Sequence, residues 1–110
     1  MYLAKVLVNQ LIEREERSAI VVTSSGLGFR PIAGCLTYCA ANACSSFMAQ
    51  ALSYELKKSQ VDVMSWEAGV AGTKMFPEEK RAKMTKVGPC VDAMLKDLGN
   101  GELISYGTRA

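Results

Sequence analysis

The sequence predicts an α/β fold, a small sheet of about three parallel strands with flanking helices. Three observations predict it. Helical and strand-like patterns alternate along the chain, in the order helix, strand, helix, strand, helices, strand, and such alternation favours crossover connections and parallel pairing. The first strand-like run is short, β-branched and without polar/apolar alternation, as in strands covered on both faces. At 110 residues, 49% hydrophobic and 22% charged, the chain suffices for one small globular domain. No repeat, low-complexity tract or interdomain linker divides it.

Residues 1–15 carry Leu3, Val6, Leu7 and Leu11 at helical spacing, with Ala4, Val8 and Ile12 widening the stripe. This predicts a helix packed on more than one side. It begins at Met1 with no capping residue ahead of it. Residues 18–24 (SAIVVTS) read as the first strand, followed by a Gly-rich loop containing Pro31. Residues 38–58 form the longest helical stretch, Ala-rich, with Phe47, Met48, Ala51 and Leu52 on one side as core or dimer contacts. Lys57 and Lys58 fall in its last turn, where they suit the helix dipole.

Residues 61–66 (VDVMSW) give a second strand and 67–76 a loop. Pro77-Glu78-Glu79 opens a helix, with acids in its first turn. Gly88-Pro89 breaks it and starts another that ends near Leu98. Gly99-Asn100-Gly101 is a turn, and residues 102–106 (ELISY) are a third strand.

Composition narrows the chemistry. There is no His, which excludes Ser-His-Asp, Cys-His and His-metal sites. Proton transfer falls to Tyr, Lys, Asp, Glu or Cys. Cys35, Cys39, Cys44 and Cys90 include no C-x-x-C pair, so they read as reduced small apolar groups and no metal site is expected. The net charge of +2 is spread among residues of both signs, so no nucleic-acid partner is expected. Met1 to Ile12 is too short to span a bilayer and lacks the features of a signal peptide.

The informative stretch is Ser25 to Asn42. Ser25 ends a strand, the place where open α/β sheets put their ligands. After twelve intervening residues Tyr38 opens the next helix, and a loop of that length can fold the phenol back over the serine. A one-residue slip would exchange the roles of Ser24 and Ser25. Gly26-x-Gly28 is no dinucleotide loop, because Pro31 stands where a third Gly is needed. Trp66 is either a pocket wall or a buried strand-end aromatic.

A strand ending in Ser-Ser-Gly, followed at this spacing by Tyr-x-Ala-x-x-Ala on an Ala-rich helix, resembles the active-site pattern of short-chain dehydrogenases/reductases. Here it reads VVTSSGLGFRPIAGCLTYCAANA, and VDVMSWEAGVAGTKM is similar to the family's next strand and cofactor-side loop. The tail GPCVDAMLKDLGNGELISYG and the run V-A-x-T-K-M resemble the branch of 3-oxoacyl-CoA reductases and 17β-hydroxysteroid dehydrogenases. The resemblance covers the whole chain. It implies the C-terminal half of a Rossmann-like three-layer αβα fold, so that 1–110 is a single partial domain lacking the N-terminal cofactor-fingerprint half.

By this resemblance Tyr38 exchanges a proton with the substrate oxygen and Ser25 hydrogen-bonds that oxygen. Asn42, Gly69, Val70 and Thr73 lie on the NADPH or NADH side. The substrate implied is a lipid or steroid ketone or alcohol, such as a fatty acyl-CoA. The location implied is the cytoplasm or the cytosolic face of the endoplasmic reticulum. The first helix and the Tyr38 helix would form a dimer interface, giving a homo-oligomer or a pairing with an intact homologue.

Three departures from the pattern matter. The family's catalytic Lys, four residues after the Tyr, is Asn42 here. A free phenol titrates near ~10 and is a poor base at neutral pH. Asn brings hydrogen bonds but no charge to lower that value. Each unit of lost depression is worth roughly 1.4 kcal/mol, so weak or absent turnover is expected. Glu67 replaces a customary Pro and would place a carboxylate near the nicotinamide. The glycine-rich phosphate loop and the catalytic Asn are not found between Met1 and Ala110. These departures keep two alternatives open, a catalytically silent relative serving as a dimerisation or scaffold partner, and a truncated fragment.

Overall fold

The computed structural model describes residues 1–100 and 104–106. Strands β1 (Ser18–Ser25) and β2 (Val61–Ala68) pair in parallel along their whole length, from Ser18 opposite Val61 to Ser25 opposite Ala68. Strand β3 (Ile104–Ser105) joins the far side of β2, with Ile104 opposite Ser65 and Ser105 opposite Trp66. The sheet order is β1-β2-β3. This is the expected α/β arrangement of three parallel strands with flanking helices. The ends proposed for the third strand and its preceding turn, at Gly101, Glu102 and Leu103, lie outside the described residues.

Helix α1 spans Tyr2–Ile12 and helix α2 spans Leu36–Glu55. Helix α3 is the single turn Glu78–Arg81, and α4 runs Val87–Asp97. The main core forms where α2 lies on the sheet. It unites Ala49, Leu56, Val61 and Val63, with Val8, Leu11, Ile20, Val22 and Leu52 packed around them. Period-2 alternation turns Val61, Val63, Ser65 and Glu67 toward α2. Ser46 and Ala49 meet them fully buried, and such small side chains let the helix approach closely. On the other face of β2, Met64 is buried and Trp66 half-buried, and in α4 Cys90 and Met94 are buried.

A polar seam crosses the α2–β2 interface. Gln50 Nε2 donates to Ser46 Oγ (3.3 Å), Ser46 Oγ lies 3.3 Å from Ser65 Oγ, and Ser65 donates to Glu67 Oε1 (2.6 Å). At the far end of the strands Arg17 forms an exposed pair with Asp62 (2.7 Å) and also donates to the Gly99 carbonyl (3.2 Å). The hydrogen bond with Asp62, and then its charge, hold the guanidinium above its ordinary value. Pairs this exposed contribute little stability. Gly99 follows α4 with φ +79, the left-handed conformation that favours Gly after a helix.

Several local expectations change. The long helix begins at Leu36 and is capped at Leu56, so Lys57 and Lys58 lie beyond it and no basic residue occupies its last turn. The break between α3 and α4 falls at 82–86, ahead of Gly88-Pro89, because Pro89 sits in the first turn of α4, where its missing N–H costs nothing. Helix α1 has no buried residue and meets the core through Val8 and Leu11, while Leu3, Val6 and Ile12 stay exposed. Strand β1 is covered by α2 on one face, and its other face leaves Ala19 and Thr23 exposed. In both elements the apolar residues are present, but nothing among the described residues packs on the second side. No helix among the described residues is long and apolar enough to cross a membrane.

Candidate active site

The carboxyl ends of the parallel strands open onto a cavity of about 1010 Å³, as expected for this sheet type. Ser25 at the end of β1, Ala68 at the end of β2 and Tyr106 just past β3 each contribute to its wall. The loop after β2 supplies Gly69, Val70 and Thr73, and the start of α4 supplies Val87 and Cys90. Gly72 N donates to the Thr85 carbonyl (2.9 Å), and Ala71 bridges to Thr85, which ties that loop to the segment before α4.

Tyr38 lies in the first turn of α2, 53% exposed, and shares this cavity with Ser25. What brings them together is the tight connection after β1. Ser25 caps a 3-10 turn over Gly26–Gly28 by accepting from Leu27 N (3.3 Å). That turn presses on α2 so closely that a Cβ on Gly28 would stand 2.9 Å from Ala43 N. Ser24 anchors the same junction from below, donating to the Asn42 carbonyl (2.8 Å) while 5% exposed. Ser24 is therefore a tie between strand and helix, and Ser25 is the serine of the cavity.

Of the six residues singled out from the sequence, five line the cavity: Ser25, Tyr38, Gly69, Val70 and Thr73. Asn42 does not. Its Nδ2 donates to the Tyr38 carbonyl (2.8 Å), so the amide folds along its own helix. Glu67 is also elsewhere. It belongs to β2 and not to a loop, is 2% exposed, and takes its hydrogen bond from Ser65 on the α2 face. Period-2 counting from Val61 would have placed it there, and it puts Trp66 on the opposite face, in the cavity wall. The Trp66 indole N–H is buried without an acceptor among the described residues. Sequence reading missed Arg30, Phe29, Cys90 and Tyr106 as wall residues. Phe29 and Arg30 stand next to the Gly-rich turn and were legible as its neighbours, whereas Cys90 and Tyr106 arrive by tertiary folding.

The residues present fit one end of a nicotinamide cofactor better than the other. Gly69, Val70 and Thr73 offer backbone and a hydroxyl beside the Ser25–Tyr38 wall. A pyrophosphate needs a glycine-lined cradle at a helix N-terminus. The Gly26–Gly28 turn offers none, because α2 backbone fills the space beside Gly28. Among the described residues no cluster of His, Cys, Asp or Glu has the arrangement to hold a metal ion.

The family profile described as short chain dehydrogenase matches residues 1–84. Its members generally bind NAD(P)(H) and are typically oligomeric. Among solved structures, the chain is similar to a short chain dehydrogenase from Salmonella enterica subsp. enterica serovar Typhi str. CT18, with a TM-score of 0.80 and 21% identity. That likeness covers 97% of this chain and 47% of the other, so the chain spans about half the length of the structure it resembles, and at this identity the likeness concerns the fold alone. Comparison with curated proteins gives no match. The profile match extends from α1 through the strand-end serine and the tyrosine helix to the segment before α4, and on that match the chain belongs to the short-chain dehydrogenase family.

Proposed function

We propose that this chain supplies the substrate-oxygen side of an NAD(P)(H)-dependent oxidoreductase site that interconverts a ketone and an alcohol. The observation that carries the reading is the placement of Ser25 and Tyr38 on one cavity whose other walls are mainly apolar. In the reducing direction Ser25 hydrogen-bonds the substrate carbonyl and Tyr38 gives its phenolic proton to the oxygen. When bound, the cofactor supplies the hydride that the carbonyl carbon accepts. Tyr38 then regains a proton from water, and the reverse sequence oxidises the alcohol. Gly69, Val70 and Thr73 border the nicotinamide in this reading, and Asn42 would reach a ribose hydroxyl only by leaving its hydrogen bond to the Tyr38 carbonyl. The mainly apolar wall and the branch resemblance favour a lipid or steroid substrate.

The test is turnover of a medium-chain aliphatic ketone by the full chain with NADPH or NADH, followed by nicotinamide absorbance. Tyr38→Phe should lower the rate by about 100-fold or more, and Asn42→Lys should raise it by restoring a cation four residues along the same helix face. Absence of cofactor binding, or a rate untouched by Tyr38→Phe, would refute the reading.

A second reading, a silent partner that associates with copies of itself or with an intact relative, has its own support. Asn42 carries no charge, and the helices expose large apolar side chains, with Leu3 at 69%, Phe47 at 67% and Tyr54 at 64%. Exposed apolar surface of this kind marks association sites. A sharp monomer by light scattering at micromolar concentration would count against it.

A further inference from the structure

We infer that Arg30 selects substrates that carry an anionic head group, a carboxylate or a phosphate, on the apolar body that fills the cavity. The inference rests on the reading of Ser25 and Tyr38 as the carbonyl site and names the substrate class of that site. Among the described residues Arg30 is the only ionised side chain in the cavity wall, and no Asp or Glu shares that wall. Its neighbours there include Leu27, Phe29, Val70, Met75 and Phe76. The Arg30 side chain has no hydrogen bond or ion pair among the described residues. A guanidinium presents a planar fork of donors that matches carboxylate and phosphate oxygens in pairs. Apolar walls on one side lower the local dielectric, so such a pair gains more here than in open water.

Position supports this as much as charge does. Phe29 N and Arg30 N both donate to the Gly26 carbonyl, each at 3.2 Å. The same turn begins on Ser25 and is braced against α2 at Gly28. The Arg30 backbone is therefore held at a set remove from the serine that would meet the carbonyl, and the reach of its side chain bounds where the guanidinium can stand. A substrate with its oxo group at Ser25 and Tyr38 brings an anion to Arg30 only when the spacing between the two groups is right. A neutral ketone of the same length would leave the guanidinium in water.

Trp66, the single tryptophan, stands in the cavity wall and reports occupancy by its fluorescence. The experiment titrates the full chain with a medium-chain oxo carboxylate, its methyl ester and an alkyl phosphate of equal length. The carboxylate or the phosphate should bind about three- to ten-fold more tightly than the ester, and the preferred anion identifies the head group. Arg30→Gln should abolish the preference, Arg30→Lys should keep only the part that charge alone supplies, and high salt should weaken it. An unchanged preference in Arg30→Gln overturns the inference. Tyr38→Phe addresses the parent reading separately, because it should weaken ester and anion alike. If Tyr38→Phe changes neither while Arg30→Gln still removes the anion preference, the carbonyl site is wrong and the anion site stands. Silence of Trp66 toward all three ligands overturns both.

Discussion

Strands β1 and β2 lie side by side with eight residues each, paired one to one, yet they occupy different environments. In β2, Val61, Val63, Met64, Ser65 and Glu67 are buried. In β1 only Ser24 is buried, and Ala19 and Thr23 are exposed. The sequences do not announce this difference, since Ile20, Val21 and Val22 in β1 are as apolar as anything in β2. The strand pattern shows which faces are built to be covered, and the surrounding chain decides which ones are. Strand β2 has α2 on one face and a neighbouring strand along each edge. Strand β1 has α2 on one side, and it is an edge of the sheet described, a position from which further strands can pair.

The comparison can be broken by mutation. Met64→Ala, at a site 1% exposed, should cost about 2–5 kcal/mol, whereas Val21→Ala in β1 should cost less than about 1.5 kcal/mol. Urea titration of both variants measures the contrast, and equal costs would mean that β1 is covered in solution by a contact such as a second chain. Gly28→Ala should cost about 1–3 kcal/mol, because its Cβ would meet the backbone of Ala43. It should also change Trp66 fluorescence by shifting the cavity wall, and a silent substitution would show that the end of β1 is not braced on α2. The finest distinction separates adjacent serines. Ser24→Ala should lose about 1 kcal/mol with its buried hydrogen bond. Ser25→Ala should cost about 0.5 kcal/mol with its part-buried cap while weakening ketone binding, and weakened binding in Ser24→Ala alone would exchange their roles.

The legible part of the molecule was what sequence distance controls. Alternating patterns gave the order of elements, and the spacing from Ser25 to Tyr38 placed both on one cavity. Glu67 was misplaced because β2 runs on to Ala68, and extending the period-2 count by two residues would have corrected it. Asn42 follows Tyr38 at the right helical interval, but a short amide can reach its own helix backbone, and it does so. The bareness of α1 and of one face of β1 was not legible, because an apolar stripe does not reveal what will cover it. Nor were Cys90 and Tyr106 legible as neighbours of Ser25, since they arrive there through the crossover that carries α4 and β3 over and past β2.

The line of Gln50, Ser46, Ser65 and Glu67 has a consequence for how the helix docks. A purely oily interface tolerates sliding, because one methyl group serves as well as the next. Here Ser46 Oγ and Ser65 Oγ meet across the buried interface at 3.3 Å, and a translation of α2 by one turn would part the two hydroxyls, at a cost of about 1–3 kcal/mol. That one contact acts as an index mark that favours a single setting of the helix along the sheet. Tyr38 rides on that helix, so its height above the strand ends is calibrated at Ser46, about two turns away.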